Sequence, residues 1–321
     1  MLLNFSEWLI FDLLGFSSQS QLPQVLSFFI YDSIKILFIL FAVIGAIGVA
    51  RSYIPRQKLR NWLNRKGFKP YIFAALFGAV TPFCSCSSIP IFIGMVSAGI
   101  SLGVVFTFLI VSPLINQYLV ALMAASFGWE ISGLYVASGL IMGITAGAVL
   151  GKLNLEKYIN EDLFTGTPGD SEKKIEFHRF KDRVKYGIEE AVSITGKIWY
   201  WVVAGVAVGA IIHNYVPQET VQSVVGSAGI LGVPVAVVLG VPMYGSCAAI
   251  VPIAVVLFRK GVPLGTALSF MMAVAALSLP AAIMMRRAVR ARLIVIFFAI
   301  TTAAIILTGY IFNIVQNLLA L

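Results

Sequence analysis

The sequence predicts an all-α, polytopic integral membrane protein. It reads as an inverted repeat of two halves, with six full spans and two broken, re-entrant hairpins. Three observations carry this. The 321 residues are 59% hydrophobic and only 12% charged, about half the charged share of an average soluble chain, and the mean hydropathy is +0.93. Apolar runs of about 20 residues, the length that crosses a bilayer, recur along the chain. The chain also aligns with itself at a constant offset. Soluble enzymes, nucleic-acid binders and disordered tails are excluded, and no cofactor, metal site or nucleic-acid partner is expected. The net charge of +9 lies mostly in short loops beside apolar runs, where it reports orientation in the lipid bilayer. Eight full spans is the alternative.

Residues 1–26 lack the positive start of a secretory signal and carry Glu7, Trp8 and Asp12. They read as an interfacial helix. Residues 27–150 form the first membrane repeat. Its first span is 27–50, followed by a loop with Arg51, Arg56, Lys58, Arg60, Arg65, Lys66 and Lys69 and no acid, which the positive-inside rule places in the cytoplasm. Residues 71–98 are apolar but broken at Thr81-Pro82-Phe83-Cys84-Ser85-Cys86-Ser87-Ser88-Ile89-Pro90. Residues 101–125 follow, interrupted at Ser112-Pro113, and 130–150 close the half.

Residues 151–188 are the one long polar stretch, a solvated linker with short helical ends and with eight Lys and Arg between 152 and 185 that also reads as cytoplasmic. Residues 189–321 form the second, inverted repeat, with apolar segments at 191–212, 231–258, 263–285 and 293–314. The loop at 213–219 has no Lys or Arg and is placed outside. Arg286, Arg287, Arg290 and Arg292 place the last loop inside. Both basic stretches, 51–69 and 152–185, want the same face, so an even number of crossings must separate them. Three apolar segments lie between, so one must enter and leave on one side. The broken 71–98 is that segment, and 231–260 is its counterpart.

At an offset of 162 residues, Lys35 falls on Lys197, Gly78 on Gly240, Pro90 on Pro252, Gly99 on Gly261, Gly103 on Gly265 and Phe108 on Phe270. Gly and Pro fix backbone shape, so what repeats is a fold. The loop after the first span is basic and its counterpart is not, which makes the halves antiparallel, a common transporter architecture.

Non-helical backbone at membrane depth is tolerated only in protein or beside a polar cavity. The two broken segments are therefore the candidate solute site. They hold all three cysteines of the chain, Cys84, Cys86 and Cys247, with Ser85, Ser87, Ser88, Tyr244 and Ser246 beside them and Asn116 in the next span. Pro82, Pro90, Pro113, Pro242, Pro252 and Pro280 are the expected breaks or hinges. Thiolates are soft ligands for soft metals and metalloids, whereas small residues at tight helix contacts are the bland reading of the same pattern. The spacing does not suit a closed zinc site. Asp32 and Lys35 stand one turn apart, and with Lys197 they are coupling candidates, while lysines that snorkel to the interface are the simpler reading. No Walker-type phosphate loop is present.

The Pro-x-Cys-x-Cys turn, the SLGVVFTFLIVSPLIN that follows, and GVPMYGSC with KGVPLGTALSF in the second half together resemble the predicted-permease family that includes the ArsP-type organoarsenical efflux permeases. The resemblance covers essentially the whole membrane region. It implies a multi-pass permease of the cell (inner) membrane, and in ArsP-type members the export of trivalent organoarsenicals. Ser87 and Gly245 depart from the family pattern. The function expected is therefore that of a secondary permease for a small thiophilic or sulfur-containing solute, not an enzyme, with a homo-oligomer allowed. The rival is a transmembrane thiol–disulfide electron relay through Cys84, Cys86 and Cys247, which would serve a thioredoxin-like partner.

Overall fold

The computed structural model describes fourteen helical residues from 26 to 49, then residues 67–81, 85–97, 99–159, 180–215, 229–243, 247–286 and 289–319. Of those fourteen, all but Leu26 fall within the first predicted span. The remaining helices are α1 (Lys69–Val80), α2 (Ser85–Ser97), α3 (Leu102–Leu114), α4 (Gln117–Phe127), α5 (Trp129–Lys152), α6 (Phe180–Tyr215), α7 (Gly232–Gly240), α8 (Cys247–Arg259), α9 (Leu264–Ala276), α10 (Leu279–Met285) and α11 (Ala291–Leu319), with short 3-10 turns at Leu155–Tyr158 and Gly229–Leu231. Among the described residues there is no strand, only an isolated bridge between Ile159 and Val289.

Glycine and proline set the ends. Pro70 lies in the first turn of α1, where its missing N–H costs nothing. Helix α2 closes on Gly99, whose φ is +73°, with Gly99 N–H donating to Val96 O (2.9 Å) and Ile100 N–H to Met95 O (3.2 Å). That pair of bonds is a Schellman cap. Helix α8 ends the same way on Gly261 (φ +86°), through Phe258 O (2.9 Å) and Leu257 O (3.1 Å).

The offset of 162 residues governs the architecture. It carries α2 onto α8 and α3 onto α9 at both ends, and the first residues of α4 and α5 onto those of α10 and α11. Packing repeats as well: α3 lies against α1, α2 and α5, and α9 against α7, α8 and α11. A Cβ at Gly78 would meet Phe108 O at 3.3 Å, and one at Gly240 would meet Phe270 O at 3.1 Å. Gly103 faces Gly147 and Gly151, as Gly265 faces Gly309 and Asn313. Small residues at these crossings let the backbones touch.

Every residue of α3 and of α9 is buried, as expected of helices apolar all round. The two pack against each other, with α1, α2 and α5 around the one and α7, α8 and α11 around the other. The faces of α5 and α11 turned away carry Ile141, Val295, Leu307, Ile311 and Ile314, all more than half exposed, which suits acyl chains. Among the described residues, three helical stretches can cross a membrane by length and composition: α5, α9 with α10, and α11. Helices α3 and α4 make a fourth candidate, bent by 49°. Helices α1, α2, α7 and α8 have 12, 13, 9 and 13 residues. At about 1.5 Å per residue, none alone spans about 30 Å of hydrocarbon.

The second end of the linker is helical. Helix α6 starts at Phe180 and runs 36 residues, so about three turns precede the apolar part. An exposed Lys185–Glu189 pair at 3.9 Å decorates that extension and adds little stability. At the linker's other end, Arg290 N–H donates to Tyr158 O (2.8 Å). The exit of α5 is thereby stitched to the entry of α11.

Candidate functional site

Of the candidate residues, Asp32, Pro82, Cys84, Tyr244 and Ser246 lie outside the described ones. For Ser85, Cys86, Ser87, Pro90, Lys197 and Cys247 only the helical backbone is described. Cys86 falls in the first turn of α2, and Cys247 is the first residue of α8. The remaining candidates define the surroundings of the two broken segments.

The breaks are narrower than the flanking prolines suggested. Helix α2 runs through Pro90 and α8 through Pro252, so those two prolines lie within helix. The reason is position: each proline is the sixth helical residue, so its missing N–H forfeits one bond close to an end that is open already. Pro242 lies half-buried in the turn after α7. Pro113 occupies the last turn of α3, and Pro280 the first turn of α10. Those two flank the equivalent interruptions at 115–116 and 277–278 rather than forming them.

In the first half, hydroxyl and amide groups tie these interruptions together. Ser88 and Ser112, both fully buried, share a hydrogen bond at 2.9 Å between α2 and α3. The Thr81 hydroxyl donates back to Phe77 O at 2.7 Å. Gln117 Nε2 donates to Ala79 O at 3.1 Å and also to Val80 O, meeting carbonyls that the end of α1 leaves without helical donors. Tyr135, wholly buried on α5, donates its hydroxyl to Leu114 O at 3.1 Å and so serves the end of α3. Where lipid cannot satisfy a freed carbonyl, neighbouring side chains must.

The second half lacks all of these ties. Met243 stands at the place of Thr81, Ile250 and Val274 at those of Ser88 and Ser112, Leu279 at that of Gln117, and Phe297 at that of Tyr135. Ile250 and Val274 are themselves buried, so an apolar contact replaces the serine pair. Asn116, half-buried, accepts Val120 N–H at its carbonyl (2.9 Å), and its counterpart Ser278 accepts Ala282 N–H (3.2 Å). The Ser278 hydroxyl is buried and has no hydrogen-bond partner among the described residues.

Contacts between the halves are reciprocal. Helix α2 packs on α10 and α4 on α8, while α3 packs on α9 and α5 on α11. Such an interface has the pattern of a two-fold relation. The rings of Phe92, Phe106 and Phe297 follow one another across it with centroids 5.2 Å apart, the first pair tilted at 49° and the second stacked at 23°. Lys35 Nζ lies 5.1 Å from the Tyr31 ring centroid, a cation–π arrangement. No cluster of three His, Cys, Asp or Glu side chains able to hold a metal occurs among the described residues.

Sequence reasoning did not pick out Thr81, Ser112 and Tyr135 as functional. Self-alignment contained the signal, because each is a polar residue whose partner at the 162 offset is apolar.

A family model described as "Predicted permease", of the ArsP type, matches residues 21–314. The chain is 26% identical to the UPF0718 protein YcgR of Bacillus subtilis over 65% of its length and 70% of that protein. It is 23% identical to the UPF0718 protein MJ0584 of Methanocaldococcus jannaschii, over 77% of the chain and 82% of the relative. It is also 23% identical to the UPF0718 protein YraQ of Escherichia coli, over 84% and 75%. No solved structure matches.

Proposed function

The chain belongs to the predicted permease family, and from that premise we propose that it moves a small thiophilic solute across the cell membrane, with the two Pro- and Cys-bearing turns as the binding site. Trivalent organoarsenicals suit the thiols, and a sulfur-containing solute is the neighbouring class. The observation that carries the reading is placement. Cys86 and Cys247 fall in the first turns of two helices, α2 and α8, that are equivalent under the 162-residue offset, and Cys84 directly precedes α2 in sequence. Cys84, Cys86 and Cys247 then act as soft ligands, and Ser85, Ser87, Ser246, Tyr244 and Asn116 supply hydrogen bonds. Helix starts also present backbone N–H groups to a polar solute.

In this reading the halves are inverted, α1–α2 and α7–α8 are re-entrant hairpins, and one half rocks against the other around the site. The stitch from Tyr158 to Arg290 supports the inversion, because it joins the end of α5 to the start of its packed counterpart α11. Without a phosphate loop in the sequence, energy comes from a solute or ion gradient, for which Asp32, Lys35 and Lys197 are coupling candidates.

Two measurements test this. In proteoliposomes, methylarsenite transport is expected to fall at least about tenfold in Cys86→Ser and in Cys247→Ser, the loss of one soft ligand being of order 1.4 kcal/mol or more. Wild-type rates in the triple serine variant would end the thiol reading. For topology, reporters inserted at 60 and at 170 should sit on one face of the membrane. Opposite faces would establish eight full spans.

A further inference from the structure

We infer that the junction between the end of α5 and the start of α11 is a binding site for an anionic phospholipid, with the phosphate on its cations and the acyl chains along the two helices. The observation that carries this is a meeting of two basic segments from different halves. Arg290 N–H donates to Tyr158 O at 2.8 Å, and Ile159 and Val289, both buried, form an antiparallel bridge beside that bond. The Lys157 ammonium lies 5.2 Å from the centroid of the Tyr158 ring, which holds it near the stitch. Lys152, Lys157, Arg286, Arg290 and Arg292 are all exposed, and Glu156 is the one acid in 149–159 and 286–292. None of Lys152, Lys157, Arg290 and Arg292 forms an ion pair among the described residues. Orientation in the bilayer requires cations in both segments, but not that backbone bonds join them. Like charges are thereby held together at a cost that a bound anion removes. Arg290 and Arg292 add to that cost, because they stand at the start of α11, with no acid in its first turn, where the helix dipole disfavours cations.

A free anion would answer the charge alone; the apolar surroundings select a lipid. Helices α5 and α11 pack on each other, and each is long and apolar enough to cross a membrane. The exposed face of α5 runs from Ile141 through Val149 to Lys152, and that of α11 from Arg292 through Val295 to Leu307. Each lipid-facing stripe therefore ends in a cation at the same junction. Ile141 and Lys152 are about 16 Å apart along the helix, close to the roughly 15 Å of one leaflet's hydrocarbon. Cations at the membrane surface attract acidic headgroups, each raising affinity about fivefold. The repeat supplies the contrast. At the 162 offset the counterparts of Lys152, Lys157, Arg290 and Arg292 are Ile314, Leu319, Gly128 and Glu130, so the equivalent junction, at the start of α5 and the end of α11, has none of these cations. The fold is doubled but the charge is not, and the site belongs to one leaflet.

Lipid titration of the full chain in detergent micelles, read by native mass spectrometry, tests this without any transport measurement. Phosphatidylglycerol is expected to bind at least about tenfold more tightly than phosphatidylcholine with the same acyl chains, and inorganic phosphate at equal concentration should not displace it. Lys157→Gln with Arg290→Gln is expected to weaken phosphatidylglycerol about 25-fold, fivefold for each cation. The stitch survives this pair, since Arg290 bonds through its main chain. Arg259→Gln with Lys260→Gln removes the same charge from the exposed end of α8 and should change the affinity less than about twofold. Equal losses in the two variants would overturn the inference and leave the junction's cations as orientation signals. Equal affinity of the wild type for the two lipids would overturn it too, and that comparison needs no variant to fold. Full displacement by phosphate would also overturn it, by making the occupant a free anion. The proposed solute plays no part in these readings, so a protein that binds phosphatidylglycerol as expected but moves no methylarsenite leaves the inference standing.

Discussion

Alanine at Phe106 is expected to destabilise the protein by about 2–3 kcal/mol. That is somewhat less than the roughly 3–5 kcal/mol lost in a water-soluble core, because in a bilayer the gain of leaving water is missing and dispersion contacts dominate. Phe106 is fully buried on α3, and its ring lies 5.2 Å from those of Phe92 on α2 and Phe297 on α11. Its removal opens a hole in the row that joins the two halves, and with α3 buried all round little can collapse to fill it. Thermal unfolding in detergent, with Phe38→Ala as comparison, measures the effect. Phe38 is 70% exposed and its truncation should be nearly silent. Equal shifts for the two variants would show that the row carries no interface energy.

Gly265→Ala is the second large effect, with an expected cost of about 1–3 kcal/mol from overpacking. A Cβ there would overlap the carbonyl oxygen of Gly309 and stand 2.7 Å from Asn313 Oδ1 and 2.8 Å from its backbone nitrogen. Two of these atoms are backbone, so α9 and α11 would have to part. Gly133→Ala provides the contrast. Nothing lies within 4 Å of a Cβ at 133, and the helix propensity of alanine should stabilise α5 by up to about 1 kcal/mol. Opposite signs for two Gly→Ala changes would locate the cost in helix contact rather than in helix formation. Gly103→Ala should behave like Gly265→Ala, since a Cβ at 103 meets Gly147 O and Gly151 Cα at 2.8 Å.

Much of the architecture was legible because its determinants are local. Apolar runs announced the helices. The 162-residue offset, read mostly from Gly and Pro, anticipated that α2 and α8, and likewise α3 and α9, begin and end at equivalent residues. Proline was the less reliable sign. Pro90 and Pro252 suggested broken backbone where helix continues, because a missing N–H costs a helix little close to its first turn.

What the sequence by itself determined is the helical membrane character of the chain and the doubling of its pattern, since burial preference and backbone permissiveness belong to each residue wherever it goes. Which polar groups find one another was decided only by the tertiary structure. Ser88 and Ser112 are 24 positions apart, Tyr135 and Leu114 21, and Gln117 and Ala79 38. A hydrogen bond forms only within about 3 Å and along its axis, and only the packing of α1 to α5 brings those groups to such range.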